Sequence, residues 1–310
     1  MMNPDLKRLL EQEIQQRGLP DDFLITVEKS YLPVAQAIAN AQLDKQDTLL
    51  VSFNGSQGSG KSTITAFLRL ILTHQFDLFT VEASIDDFYH TREQRQLLAN
   101  SIHPLFATRG VPGTHDVSLA NETLNCLQLC SEFHPCKIPV FDKAIDDRLP
   151  KSKWPTVAQD VRVILFEGWC NHAPVQSPEA LIDPVNDLER NEDKKAVWRK
   201  YANDQLEYYH RILFSEADLL VFLQVPSFEK VFEWRGLQEK KLAEKVKLHQ
   251  SDDAPSAVMD EAQLKRFIQH YERITRACLD TLPEHADIVL KMNSGHGIDA
   301  VTIKQPRVDE

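Results

Sequence analysis

The chain has no apolar run long enough to cross a bilayer, so its sequence offers no membrane-spanning helix. Its first residues, Met1-Met2-Asn3-Pro4-Asp5, lack a signal-peptide pattern, and the cytoplasm is the expected location. Basic residues are the minority charge. Thirty-five Lys and Arg against 46 Asp and Glu leave a net charge of −11. That balance disfavours a nucleic-acid backbone as the main partner, but it leaves room for a local basic pocket around a small anionic substrate. Cysteine is sparse: there are five, and none forms a C-x-x-C pair, so no disulfide framework is expected. Cys126, Cys130, His134 and Cys136 lie close together and raise the question of zinc. Leu124, Leu127 and Leu129 give the same stretch the pattern of a packed helix, and no second ligand pair has zinc-like spacing. Buried or surface thiols are expected there. No internal repeat occurs. With 310 residues, 42% hydrophobic and 26% charged, the composition is that of an ordinary soluble enzyme.

What the chain does have is a complete phosphate-binding loop. Gly55-Ser56-Gln57-Gly58-Ser59-Gly60-Lys61-Ser62 fills every fixed position of the Walker A pattern G-x-x-x-x-G-K-[ST]. Leu49 to Phe53 before it read as a short buried strand. Thr63 to His74 after it carry Ile64, Phe67, Leu68, Ile71 and Leu72 at helical spacing. Strand, glycine-rich loop and helix together let backbone N–H groups and the positive helix end close on phosphate oxygens. Residues Gly55 to Thr63 are therefore the expected nucleotide cradle, with Lys61 reaching the β- and γ-phosphates and Ser62 binding Mg²⁺.

Strand-like and helix-like segments alternate along the rest of the chain. Residues 1–46 read as a helical extension, with Leu6, Leu9, Leu10 and Ile14 on one helix face and a second helix around Val34 to Ala41. Gly18-Leu19-Pro20 separates the two. Residues 47–310 form the main domain. Strands are expected at Phe79–Ile85, Ile138–Phe141, Val161–Phe166, Leu219–Val225 and Asp287–Lys291, and helices at Thr91–Asn100, Ser118–Ser131, 195–214, Ser227 through Lys241, and 261–282. The strands lack in/out polarity alternation, which implies a doubly wound, mainly parallel α/β sheet with helices on both faces. Ser251 to Ser256 and the charge-dense stretch Asp183 to Lys195 are expected as exposed loops.

A phosphate loop alone does not choose among kinases, GTPases, transporters and motors, but the residues at other strand ends narrow the choice. Ser84-Ile85-Asp86-Asp87-Phe88-Tyr89 places two carboxylates where a parallel sheet faces its ligand. One could accept a hydroxyl proton and the other could serve Mg²⁺; the sequence does not say which does which. Glu167, at the end of Leu165-Phe166-Glu167-Gly168-Trp169, sits where an acid completes the Mg²⁺ environment beside Ser62. Arg109-Gly110-Val111-Pro112-Gly113-Thr114-His115-Asp116 and the pair Lys143 and Arg148 supply cations for an anionic acceptor or a moving phosphoryl group. No N-K-x-D guanine-reading motif follows a strand, and no L-S-G-G-Q-like signature occurs.

Taken together, the Walker A loop, Asp86-Asp87-Phe88-Tyr89, Arg109 to Asp116 and Glu167-Gly168-Trp169 resemble the D-glycerate 3-kinase family, within the wider phosphoribulokinase, uridine kinase and pantothenate kinase group. The stretch Trp234-Arg235-Gly236-Leu237-Gln238-Glu239 is similar too, and the likeness covers roughly residues 47 to 293. The resemblance implies a P-loop fold with a lid near residues 226–260, ATP and Mg²⁺ as cofactors, and a small-molecule acceptor. It also implies site roles: Lys61 and Ser62 binding ATP and Mg²⁺, Asp86 or Asp87 as the base, Arg109 and His115 on the acceptor side and Arg235 acting from the lid. From the residues themselves come Glu167 and Asp86 near the metal, and Asp116, Lys143, Arg148 and Trp169 on the acceptor side. A departure at Cys170-Asn171-His172-Ala173-Pro174 falls near the expected acceptor pocket. A kinase for D-glycerate, a kinase for a nucleoside, pantothenate or sugar phosphate, and a nucleotide-binding regulator without turnover all remain open at this point.

Overall fold

The apolar run before the phosphate loop becomes a central strand in the computed structural model, which describes residues 2–237 and 259–304. β1 (Leu49–Gly55) lies between β7 (Val163–Gly168) and β8 (Leu219–Gln224), parallel to both. β2 (Thr80–Ser84) pairs with β7, and β9 (Ile288–Met292) with β8, again parallel. An edge strand that the sequence pattern did not announce, β10 (Ile298–Ile303), closes the sheet antiparallel to β9, giving the order β10-β9-β8-β1-β7-β2. Its half-exposed residues gave no continuous apolar run to detect.

The missing polarity alternation has the expected cause, because both sheet faces are buried. Val51, Phe53, Val163, Leu165 and Val221 join one core, while Leu50, Ile164, Phe166, Leu220 and Phe222 join another. α4 (Lys61–Gln75), α1 (Pro4–Arg17) and α3 (Leu32–Lys45) supply the first core. The N-terminal helices thus share their apolar side with the sheet. A short helix, α2 (Phe23–Thr26), runs through a π turn at Val27–Tyr31 into α3. α6 (Val117–Gln128) and α8 (Val197–Tyr209) cover the second face, and α10 (Glu261–His285) contributes to both cores. Residues 228–237 are helical (α9) and bury Phe228, Val231 and Trp234. Among the described residues, no helix is long and apolar enough to cross a membrane.

The segment Ile138–Phe141, expected as a strand, does not join the sheet. Cys136–Lys137 (β3) pairs with Thr156–Val157 (β6), and Phe141–Asp142 (β4) pairs with Asp147–Arg148 (β5), as two small antiparallel ribbons. Pro139, which has no N–H to give a ladder, separates them.

The stretch Asp183 to Lys195 also departs from expectation. It contains a short helix, α7 (Asp187–Glu192), and two of its acids are buried rather than exposed. Glu189 receives two parallel hydrogen bonds from Arg273, at 2.7 and 2.6 Å, and Asp193 accepts from Arg199 at 3.0 Å. Charge density read as solvent exposure here is an internal ion network, because Arg273 arrives from α10 and Arg199 from the helix that follows the stretch. Glu189→Ala would strand the Arg273 guanidinium, and a loss of about 3–5 kcal/mol in urea unfolding is expected. A midpoint unchanged from the parent would show that the network contributes no net stability. The expected lid and the loop Ser251 to Ser256 fall wholly or largely on 238–258, outside the described residues.

Candidate active site

Strand register sets the geometry of the site. Glu167 stands opposite both Phe53 and Ser84, so β1, β7 and β2 end at one level. β1 runs into the phosphate loop, and α4 begins at Lys61. Gly60 takes φ 89° at the turn, a conformation that a side chain would strain. Inside the loop, Lys61 Nζ donates to the Ser56 carbonyl at 3.1 Å. Ser56 Oγ, Gln57 Oε1 and Ser59 Oγ are buried without partners among the described residues, as suits a cradle for a polar ligand. Ser62 Oγ and Ser84 Oγ both donate to Glu167 Oε1, at 2.9 and 3.0 Å.

The two adjacent aspartates separate after β2, because the turn Ile85–Phe88 is a 3₁₀ helix that sends consecutive side chains in different directions. Asp86 lines a cavity in front of the loop. It accepts from Tyr89 Oη at 2.8 Å and from Lys143 Nζ at 2.6 Å. Burial works against its charge, but the Lys143 ammonium and these bonds prevail and hold its pKa down to about 2. Asp87 instead turns toward the β4 segment and accepts the Phe141 N–H at 3.2 Å. Burial, reinforced by the Asp86 and Glu167 charges, pushes its pKa up to about 6, although the Phe141 bond opposes the shift.

The cavity measures about 330 Å³. Lys61, Ser62, Asp86 and Glu167 form one wall, and Arg109, Lys143 and Arg235 bring further positive charge. A chain of net charge −11 thus gathers four cations around one hollow. Arg109 pairs with Asp146, which the buried Arg95 holds from behind at 2.8 Å. Arg235 lies over the Phe267 ring, 5.7 Å from its centroid. Trp169 donates to the Gly110 carbonyl at 2.9 Å and meets the edge of Tyr271. Tyr89, Phe267 and Tyr271 also line the cavity, though the motif reading did not assign them. Tyr89 stood beside the carboxylate pair and could have been found. Phe267 and Tyr271 sit at helical spacing on α10, where a cavity wall and a core face look alike.

Three residues expected on the acceptor side lie elsewhere. His115 is buried behind Tyr89, stacked on its ring at 4.5 Å, with Nδ1 3.0 Å from Tyr209 Oη. Burial lowers its pKa to about 3, so it is a neutral packing group. Asp116 caps α6 through the Leu119 N–H at 3.1 Å. Arg148 is taken up by Asp116 and by the Tyr89 carbonyl, at 2.7 Å for the latter. All three brace the Tyr89 segment from outside the cavity. The departure after Glu167-Gly168-Trp169 turns inward as well: Cys170 and Asn171 are fully buried. A methyl group on Gly168 would collide with the Asn171 amide, so this glycine makes room for Asn171 rather than for a ligand.

The donor set suits Mg²⁺. Ser62 and Glu167 offer hard oxygen atoms beside the loop, and among the described residues no group of three or more His, Cys, Asp and Glu forms a closed metal cage. Mg²⁺ binds in this way, through one or two protein oxygens together with phosphate.

No protein-family model matches the chain. Curated relatives do. The chain is 31% identical over 230 residues to uncharacterized kinase mug58 of Schizosaccharomyces pombe, covering 72% of this chain and 78% of that protein. It is 30% identical over 251 residues to the chloroplastic D-glycerate 3-kinase of Arabidopsis thaliana, covering 77% of this chain. The chain belongs to the D-glycerate 3-kinase family. This kinase matches only 49% of the longer Arabidopsis protein. The solved structure of a D-glycerate 3-kinase from Cryptococcus neoformans shares its fold, with a TM-score of 0.73 at 22% identity over 88% of this chain and 99% of that one. The kinase is therefore an ATP-dependent phosphotransferase built on the P-loop fold.

Proposed function

We propose that the kinase transfers the γ-phosphoryl group of ATP to a hydroxyl of D-glycerate in the cavity before the phosphate loop. The observation that carries this reading is the meeting of Asp86, Lys61 and the Ser62–Glu167 pair with Arg109 and Lys143 in one cavity. A small hydroxy acid needs a cation for its carboxylate and a carboxylate for its hydroxyl proton, and both stand within one small cavity.

In this reading residues 55–62 cradle the triphosphate, while Ser62 and Glu167 hold Mg²⁺. Bound Mg²⁺ neutralises charge on the phosphate oxygens. Arg109 and Lys143 grip the acceptor carboxylate. Drawing Lys143 toward that carboxylate relieves Asp86 of the cation that depresses its pKa, which makes Asp86 a better base when the acceptor is present. The acceptor oxygen bonds to the γ-phosphorus as the β–γ bridge breaks, the hydroxyl proton passes to Asp86, and ADP leaves. Lys61 and Arg235 stabilise the charge spread over the moving group. Asp87, whose carboxylate holds the Phe141 backbone, positions the segment that carries Lys143.

The acceptor assignment is tested at Arg109. Arg109→Lys keeps the charge but loses the planar fork that can give a carboxylate two parallel bonds. Losing one charge-assisted bond costs roughly 1.5–3 kcal/mol, and KM for D-glycerate should rise about tenfold or more while KM for ATP stays near the parent value. Equal effects on both substrates would move Arg109 to the phosphoryl side. A wild-type protein that turns over a nucleoside or pantothenate but not D-glycerate would end the glycerate reading.

A further inference from the structure

Arg95 lies near the start of α5 (Arg92–Ser101) and is only 1% exposed. Its guanidinium reaches three backbone carbonyls. Nε donates to His90 at 3.2 Å, Nη1 to Ala107 at 3.0 Å and Nη2 to Asp146 at 2.7 Å. Nη2 also pairs with the Asp146 carboxylate at 2.8 Å. These carbonyls belong to three separate segments of the acceptor side. His90 follows Tyr89, Ala107 stands two residues before Arg109, and Asp146 lies in the turn between β4 and β5 that also carries Lys143.

Asp146 divides its carboxylate between two arginines. Oδ2 meets Arg95 on the buried side, and Oδ1 accepts from Nη1 of Arg109 on the cavity side. Its backbone holds φ 55°, in the left-handed region that Asp and Asn tolerate better than most residues. Both guanidinium groups lie over the Phe141 ring, 5.8 Å from its centroid for Arg95 and 5.7 Å for Arg109. Nε and Nη2 of Arg109 hydrogen-bond to no protein atom among the described residues, so these donors remain for a ligand in the cavity that Arg109 lines.

We propose that Arg95 is a positioning residue for the acceptor: by fixing Asp146, it fixes the Arg109 guanidinium at the cavity wall before the acceptor arrives. The proposal rests on Arg109 gripping the acceptor and adds the groups that aim it. The gain is entropic. A long side chain already pinned in its binding rotamer loses less freedom when the ligand docks, and holding one such side chain is worth about three- to tenfold in affinity. Arg95 holds Asp146 through its carbonyl and its carboxylate together. Asp146 is therefore a fixed anchor, not a loose counterion that the acceptor must displace from Arg109.

Asp146→Asn breaks the link from its more exposed side and keeps the left-handed turn. With D-glycerate and ATP varied in turn, Asp146→Asn and Arg95→Lys should each raise KM for D-glycerate about three- to tenfold, while kcat and KM for ATP stay near the parent values. In an Arg109→Ala background, Asp146→Asn should add no further change, since nothing is left to aim. A general loosening of the fold would persist in that background and would lower kcat as well. Asp146 lies outside the core, so its variant reports even if Arg95→Lys unfolds the chain. An unchanged or lower KM for D-glycerate in either folded variant would overturn the proposal, a lower one by making Asp146 a competitor of the acceptor. An undiminished effect in the Arg109→Ala background would overturn it too. A second readout needs no acceptor: phenylglyoxal modification of Arg109 in the full chain, followed by peptide mass spectrometry, should run faster in both variants than in the parent. Equal rates would overturn the fixing of Arg109. If the wild type turns over no D-glycerate, the proposed function fails, and the modification rates still decide whether Arg95 and Asp146 hold Arg109 in place.

Discussion

Lys61→Ala is expected to lower phosphoryl transfer by at least about 10²-fold while the protein remains folded. Lys61 stands at the first position of α4 and lines the cavity, where its ammonium donates to the Ser56 carbonyl. Alanine is a good helix former at that position, so helix and loop survive the change. What is lost is a preorganised cation at the point where charge spreads over the transferring group, and one such donor is typically worth 10²–10³-fold or more. A coupled ADP-release assay gives the rate, and thermal melting followed by circular dichroism gives the fold. Turnover near the parent rate in a folded Lys61→Ala protein would remove the phosphate loop from the chemistry.

Asp86→Asn and Asp87→Asn should part company. Asp86 faces the cavity and holds Lys143, so Asp86→Asn should cut kcat by about 10²–10⁴-fold with ADP affinity little changed. Asp87→Asn should spare most of the activity and alter stability against pH instead. The native carboxyl of Asp87 is raised from 3.8 to about 6, so between those values the folded protein keeps a proton that the unfolded chain has released. Stability contributed by that proton is fully present below about pH 4 and is lost as pH rises through about 6. A shift of this size corresponds to a swing of roughly 3 kcal/mol. Urea unfolding at several pH values should show the slope in the parent and a flatter profile in Asp87→Asn. Full activity in Asp86→Asn, or its loss in Asp87→Asn alone, would reverse the two roles.

These contrasts mark what a linear reading can and cannot reach. The phosphate loop was legible because all its parts lie within one short run, and because the strand before it and the helix after it carry their own periodicities. Glu167 was legible because an acid ending an apolar strand has few places to point once that strand is central. Asp86 and Asp87 were legible as a pair, but which of them faces the cavity depended on a 3₁₀ turn and on Lys143, 57 positions away. Arg109, His115 and Asp116 are close in sequence, yet only Arg109 reaches the cavity, because the loop reverses and Asp116 is drawn off to cap α6.

The sequence by itself determined the local chemistry: the loop that binds phosphate, the acids at the strand ends and a sheet buried on both faces. Backbone torsion preferences and side-chain periodicity act over a few residues, and they need no distant partner to be read. Only the tertiary structure decided which charges face the cavity, which acids are buried against Arg273 and Arg199, and that the N-terminal segment comes to rest beside the phosphate loop. Those outcomes depend on pairs such as Glu189 with Arg273, 84 residues apart. Burial and charge pairing become favourable at such sites only after the intervening chain has folded, and no local pattern records them.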